Sequence, residues 1–259
     1  MLTQESLEKF GFKFGQNGAH SARTMMLAEL TQLLYGRPAD AVVEQYRDDV
    51  EVFNVLHKPT VKARTLTWRH LVDLYGLSAE IPLFRYFRHA WDSDEESRAL
   101  LACQYSIARD PLLRLTTEKI LSLEIGQHLP RTEMEDFLEA TCPDRFSAAS
   151  LKSFAQNVNG TWTSAGYLSG KTQKYRAEPD LRPANIAFAL FCGYLNGFSG
   201  NRLYNTDWTK LLECRIERML ELTRSASYAG LLTFKHSSEI VEVAFPDALN
   251  REEESWLHE

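Results

Sequence analysis

The residues able to do chemistry are scattered along the chain rather than gathered. His57, His70 and His89 share one region, but their spacings of 13 and 19 residues match no metal-ligand pattern. They read as surface or packing histidines. Asp92, Asp94, Glu95 and Glu96 form a carboxylate run. Acids favour the first turn of a helix, so a solvated helix start explains that run better than a cation site. Cys103, Cys142, Cys192 and Cys214 include no Cys-x-x-Cys pair, and each lies in an apolar or helical pattern. They read as small hydrophobes buried in a reducing compartment. Neither a phosphate-binding P-loop, nor a GxGxxG after a strand, nor a GxSxG elbow is present. The expectation is a chain with no catalytic centre, no metal, no cofactor and no small-molecule substrate.

Positive charge is more informative. The chain of 259 residues carries a net charge of −6. Between His57 and Trp91, six cations (Lys58, Lys62, Arg64, Arg69, Arg85, Arg88) face two acids, Asp73 and Glu80. Between Arg145 and Arg182, six more (Arg145, Lys152, Lys171, Lys174, Arg176, Arg182) face Glu178 and Asp180. Each segment is therefore +4, and the remainder of the chain is −14. An acidic protein that contacts nucleic-acid phosphates needs this kind of segregation. Lys58, Lys62 and Arg69 are spaced for one helical face, with Arg64 beside them. The same pattern also suits an ordinary solvated helix face.

The elements that would position these groups read mainly as helices. Ser21 can cap a helix with Met26, Leu27, Leu30, Leu33 and Leu34 on its buried face, ending near Gly36. Pro59 suits the first turn of a helix burying Val61, Trp68, Leu71, Val72 and Tyr75 and stopping at Gly76. Asp94 to Ala108 reads as a further helix. Asp110 is placed to cap the next, with Pro111 at its first position and Leu112, Leu115 and Leu123 packing. Thr132 and Glu135 have capping-box spacing for a helix through Ala140, and Ser147 starts another running to about Trp162. Ile186 to Phe198 is too short to span a bilayer, which needs roughly 20 apolar residues, and reads as a buried helix. Thr206 to Ala226 reads as one long helix with Trp208 and Leu212 on its apolar side. Leu231–Phe234 and Ile240–Phe245 flank a polar turn, His236 to Glu239, as a β-hairpin packing on that long helix. The tail from Asn250 reads as frayed. A signal peptide is not evident, since residues 1–9 carry Glu5 and Glu8 and lack an apolar run; the location expected is cytoplasmic, with no membrane contact. Soft boundaries near Arg131 or Leu181 suggest an N-terminal helical domain, 1–130, and a C-terminal winged-helix-like domain with the hairpin, 131–259.

The second basic segment has added form. Two helices separated by a break, then Gly166-Tyr-Leu-Ser-Gly-Lys-Thr-Gln-Lys-Tyr-Arg176, look like a helix-turn-helix followed by a basic wing. In such a module the second helix enters the major groove and the loop approaches phosphates. That helix offers Lys152, Gln156, Asn157 and Asn159, and Asn or Gln can pair with adenine in two-point fashion. Lys171, Lys174 and Arg176 would be the wing's phosphate contacts, and changing them to Glu is expected to abolish most binding without harming the fold. Two packed helices and a loop would give the same sequence signal.

Three stretches also resemble the BrxA family, accessory proteins of BREX phage-resistance systems. Ser21-Ala-Arg23 leads into Leu27-Ala-Glu-Leu30 after Gly15-Gln-Asn-Gly18. Asn54-Val-Leu-His-Lys58 is followed by Thr60, Lys62 and Arg64. Ser147 to Leu168 contains Leu151-Lys152 and Ala165-Gly-Tyr-Leu168. Arg109-Asp110, after Leu100–Ala102, stands where the family has its central helix pair. The likeness covers roughly residues 11–190. The family's double-glycine opening is interrupted here by Gln16 and Asn17, and the last sixty or so residues lie beyond the similar core. The resemblance implies a mainly α fold similar to the NusB-type helical bundle and double-stranded DNA binding without enzyme activity. It further implies a role beside the other proteins of a bacterial antiviral defence system. The alternatives are a protein–protein adaptor within a defence complex and an RNA-binding protein; an enzyme ranks last.

Overall fold

The computed structural model describes residues 2–237 and 240–258. It is mainly helical, with a small antiparallel hairpin near the C-terminus. The first half runs through α1 (Gln4–Phe10), a 3-10 turn at Ala19–Ser21, α2 (Leu27–Tyr35), α3 (Val43–Glu51), α4 (Val61–Tyr75), α5 (Pro82–Ser93) and α6 (Arg98–Arg109). The short helices α7 (Pro111–Leu115) and α8 (Thr117–Leu121) follow, then β1 (His128–Leu129), α9 (Arg131–Thr141), α10 (Ala148–Ser164), β2 (Leu168–Ser169) and β3 (Lys174–Arg176). The chain finishes with α11 (Pro183–Leu195), a 3-10 stretch at Gly200–Asn205, α12 (Asp207–Lys210), α13 (Ile216–Tyr228), β4 (Thr233–Ser237), β5 (Ile240–Ala244) and α14 (Arg251–Ser255).

Aromatic side chains from α5, α6 and α11 organise the core. The Phe87 and Tyr105 rings lie 4.5 Å apart, and Tyr86 stacks on Phe191 at 4.0 Å. α11 buries nearly every side chain from Ala184 to Leu195, which accounts for its unbroken apolar run. Among the described residues no helix is long and apolar enough to cross a membrane.

Several helix boundaries differ from the sequence reading. α2 does not begin at Ser21; its entry is Met26, in left-handed backbone, while the Ser21 hydroxyl donates to the Gly18 carbonyl. Pro59 lies just outside α4, because Thr60 supplies the cap by accepting from the Ala63 N–H. Val61 at the first position is therefore 71% exposed rather than part of the buried stripe, and Val72 is half-buried. Trp68, Leu71 and Tyr75 are buried, and Gly76 ends the helix as expected. The helix expected from Asp94 lies elsewhere: α5 occupies 82–93, Asp94 closes it, and α6 starts at Arg98. Thr132 does not cap α9, whose first residue is Arg131 behind Pro130.

The long helix expected from Thr206 to Ala226 is broken. Glu213 adopts a positive φ of 47° between α12 and α13, and its carboxylate turns to Arg176. The hairpin is present, with Lys235 opposite Glu242; Ser238 and Glu239 of its expected turn lie outside the described residues. It meets the α13 part of that expected helix through β4, but its aromatic anchor is not Trp208. Phe245 sits 5.5 Å from Tyr86, 5.2 Å from Phe191 and 5.3 Å from Tyr194, on α5 and α11. Trp208 instead packs on Phe12 at 5.6 Å. The tail is not frayed where it is described. Asn250 caps α14, and the buried Glu253 carboxylate pairs with Arg85.

Candidate nucleic-acid interface

The second basic segment is built around a three-stranded sheet of order β1-β3-β2. Between β1 and β2 the chain forms α9, a turn at Cys142–Phe146, and α10; β2 and β3 then make a ribbon. Ser147 caps α10 by accepting from the Ser150 N–H, as its sequence predicts. The first half of α10 is exposed at Ala149, Lys152, Ser153 and Gln156, residues that recur at helical spacing. The whole helix carries no acid. Its second half is buried through Val158, Asn159, Thr161 and Trp162.

The structure keeps some of the candidate residues on the surface and withdraws others. Lys152, Gln156 and Lys171 are exposed. Lys174 is half-buried, its ammonium donating to the Gly170 carbonyl at 2.7 Å, and burial lowers its pKa below the usual lysine value. Asn157 is committed to the fold, since its amide donates to the His20 carbonyl at 3.1 Å. Asn159 is buried. Arg176 is 2% exposed and cannot serve as a wing contact. Its guanidinium donates to the carbonyls of Ile120, Tyr167 and Ala177 and pairs with Glu213. Reversing its charge would therefore attack the core, contrary to the expectation from sequence. Strand alternation is the signal that could have found this: Lys174 and Arg176 share the inward side of β3, while Tyr175 between them is exposed.

The first basic segment loses more of its charge to internal pairing. Lys58 precedes α4, so it does not share that helix's face, and it pairs with Glu29 at 2.9 Å. Arg64 is half-buried and donates to the Glu51 carbonyl. Arg85 is held by Glu253, and Arg88 is buried against Asp92 and the carbonyls of Leu34 and Arg37. Lys62 and Arg69 remain exposed on α4. In the second segment Arg145 bonds to the Gln16 carbonyl and the Asn17 side chain, while Arg182 pairs with Glu96 and Asp180. Sequence counting assigned all twelve cations equal weight; neighbouring carboxylates and carbonyls occupy most of them.

A buried polar chain fixes α10 to the rest of the protein. His20, fully enclosed, contacts Asp110 through Nδ1 at 2.8 Å and the Thr161 hydroxyl through Nε2 at 2.9 Å. Thr161 Oγ1 also accepts from the Met25 N–H, and Asp110 accepts from the His20, Leu112 and Leu113 N–H groups. Burial alone would raise the Asp110 pKa, but the His20 imidazole and these N–H donors outweigh it and hold it below the usual carboxylate range. Sequence reading found Asp110 as a helix cap and missed its partners, which are remote in the chain. Gly18 is required here, because a Cβ would fall 1.9 Å from Asp110 Oδ1.

Among the described residues no group of three or more His, Cys, Asp or Glu is arranged to hold a metal ion. Cys103 and Cys192 are buried and burial raises their thiol pKa, whereas Cys142 and Cys214 are half-buried. No protein-family model matches the chain, and no curated protein matches it.

Proposed function

We propose that the protein binds double-stranded DNA through a winged helix-turn-helix unit spanning α8 to β3, as a non-catalytic accessory of a BREX-type antiviral defence system. One observation carries the DNA-binding part. Strand, helix, turn, helix and two-stranded ribbon follow in the order of such a unit; α10 exposes Lys152 and Gln156 on an acid-free first half, and the loop of the ribbon that follows exposes Lys171. The BREX assignment rests on the family resemblance of the sequence alone. In this reading Gln156 meets base edges, and Lys152 and Lys171 meet phosphates. Lys62 and Arg69 on α4 are auxiliary contacts.

The contact count sets the expected salt dependence. Two phosphate contacts give a slope of log affinity against log salt of about −1.8, and each cation removed makes it shallower by about 0.9. Fluorescence anisotropy with a labelled duplex across a salt series measures this. Lys152→Ala and Lys171→Ala should each weaken binding and flatten the slope, and Gln156→Ala should leave the slope intact. A folded Lys152→Ala, Lys171→Ala double variant with unchanged affinity and slope would remove this surface from the proposal.

A further inference from the structure

We propose that the open pocket bordered by α7, α8, α9 and α12 is a binding site for a small aromatic monoanion, a flat ring bearing one carboxylate or sulfonate. The ring would lie among Phe12, Phe137 and Trp208, with the anion met by Arg114. The cavity has a volume of about 770 Å³, within the range of roughly 300–1,000 Å³ usual for sites that hold small molecules. Its walls come from four separate parts of the chain: the segment after α1 supplies Phe12 and Phe14, α7 supplies Arg114, α9 supplies Phe137, and α12 supplies Trp208.

The charge arrangement identifies the ligand class. Arg114 lies 5.1 Å from the Phe14 ring centre and donates to the Lys13 carbonyl, but it makes no ion pair among the described residues. Burial lowers its pKa, and the acid whose charge opposes that shift, Asp110, is engaged with His20. The half-buried Arg114 guanidinium borders the pocket, and its N–H donors not used by the Lys13 carbonyl are open to solvent or to a guest there. The other cation in the lining, Lys210, is already paired with Asp207 at 2.8 Å. Glu118 also lines the cavity, but it is exposed to water, where screening weakens its repulsion of an anion. Phe137 and Trp208 are only half-buried, so their ring faces are available to a planar guest. A planar body with one anionic group satisfies both features at once. This site stands whether or not the protein binds DNA.

Naphthalene sulfonate is the probe, and naphthalene methanol is its neutral comparator. Titration calorimetry on the full chain should give saturable binding of the sulfonate at one site, about tenfold or more tighter than the neutral compound, the effect of one charge-assisted hydrogen bond. Arg114→Gln should lower affinity for the sulfonate by a similar factor and leave the neutral compound unaffected. Trp208→Phe should abolish most of the ligand-induced quenching of tryptophan fluorescence while calorimetric binding persists. Should Arg114→Gln fail to fold, the comparison of the two compounds on the unaltered chain decides. Absence of saturable binding at millimolar probe would overturn the assignment. So would equal affinity for the charged and neutral compounds, or quenching indifferent to Trp208.

Discussion

Replacing Arg176 by Met tests whether that residue belongs to the core or to a nucleic-acid surface. Methionine keeps the apolar stem and removes the guanidinium. The loss removes the guanidinium's bonds to the carbonyls of Ile120, Tyr167 and Ala177, of which the first two keep a backbone N–H donor, and leaves Glu213 without its partner. Removing one member of a buried ion pair costs about 3–5 kcal/mol. The Glu213 side chain is 29% exposed, so water compensates part of its loss and the lower end, about 3 kcal/mol, is the appropriate figure. For a chain of this size, that corresponds to a drop in melting temperature of roughly 6–12 °C. Arg176→Lys should recover little, because an ammonium cannot reproduce the fork that spans four acceptors on different elements. Thermal unfolding followed by circular dichroism provides the measurement, with Lys171→Glu as the surface control expected to melt like the parent. An Arg176→Met protein melting within about 2 °C of the parent would refute the argument, since no buried network worth several kcal/mol could then exist there.

Asp110 gives a prediction in pH. Its folded pKa is depressed, so its contribution is present above the ordinary aspartate value of about 3.9 and is lost as pH falls through the lower folded value. Urea midpoints measured from neutral pH downward should therefore fall below about pH 4 in the parent. Asp110→Asn should be destabilised already at neutral pH and should lack that component of the acid loss; identical pH profiles would contradict the assignment. Deletion of residues 229–259 should yield an aggregating protein, because it strips Phe245 from Tyr86, Phe191 and Tyr194 and Glu253 from Arg85. A soluble, monomeric truncation by size-exclusion chromatography would show that this cluster closes without the hairpin.

The sequence was most legible where the governing physics is local. Ser147, Asp110 and Gly76 act within a few residues of themselves, and each does what its type predicts at the end of a helix. The apolar run of α11 was equally plain, since a helix buried on all sides leaves no polar stripe. Legibility failed where a distant partner decides. Glu213 breaks a helical pattern that looks continuous because Arg176, remote in the chain, holds its carboxylate. Asn250 carries a good cap, yet only the contact of Glu253 with Arg85 turns the acidic tail into structure. α5 was missed although Leu83, Phe84, Phe87, Ala90 and Trp91 recur at helical spacing; what no local pattern announces is buried Arg88, balanced by the carbonyls of Leu34 and Arg37. The candidate interface shows the same division. Exposure of Lys152 and Gln156 follows from helical spacing, but the fates of Arg176, Lys58 and Asn157 depend on Glu213, Glu29 and the His20 carbonyl.

Those distant ties also determine how α10 can behave. The helix has 17 residues, about 25 Å at 1.5 Å per residue, and its fixed points lie toward the second half. Asn157 holds the His20 carbonyl, Thr161 joins the His20–Asp110 chain, and Trp162 donates to the Thr116 hydroxyl at 2.8 Å. An exposed first half of that length would fray if it relied on its own helix propensity. It is secured instead by the Ser147 cap and by Phe146, whose ring packs 5.3 Å from Phe154 across the helix entry. The polar ties set the direction of α10, and buried Phe154 and Ala155, packed with Phe146 and on α9, hold the inner face of its first half. Lys152 and Gln156 therefore stand on a stiff support whose orientation is fixed by an N-terminal turn more than a hundred residues earlier in the chain. A change at His20 or Gly18 would tilt that support without touching either exposed residue, so its effect on binding would be felt through geometry rather than through lost charge.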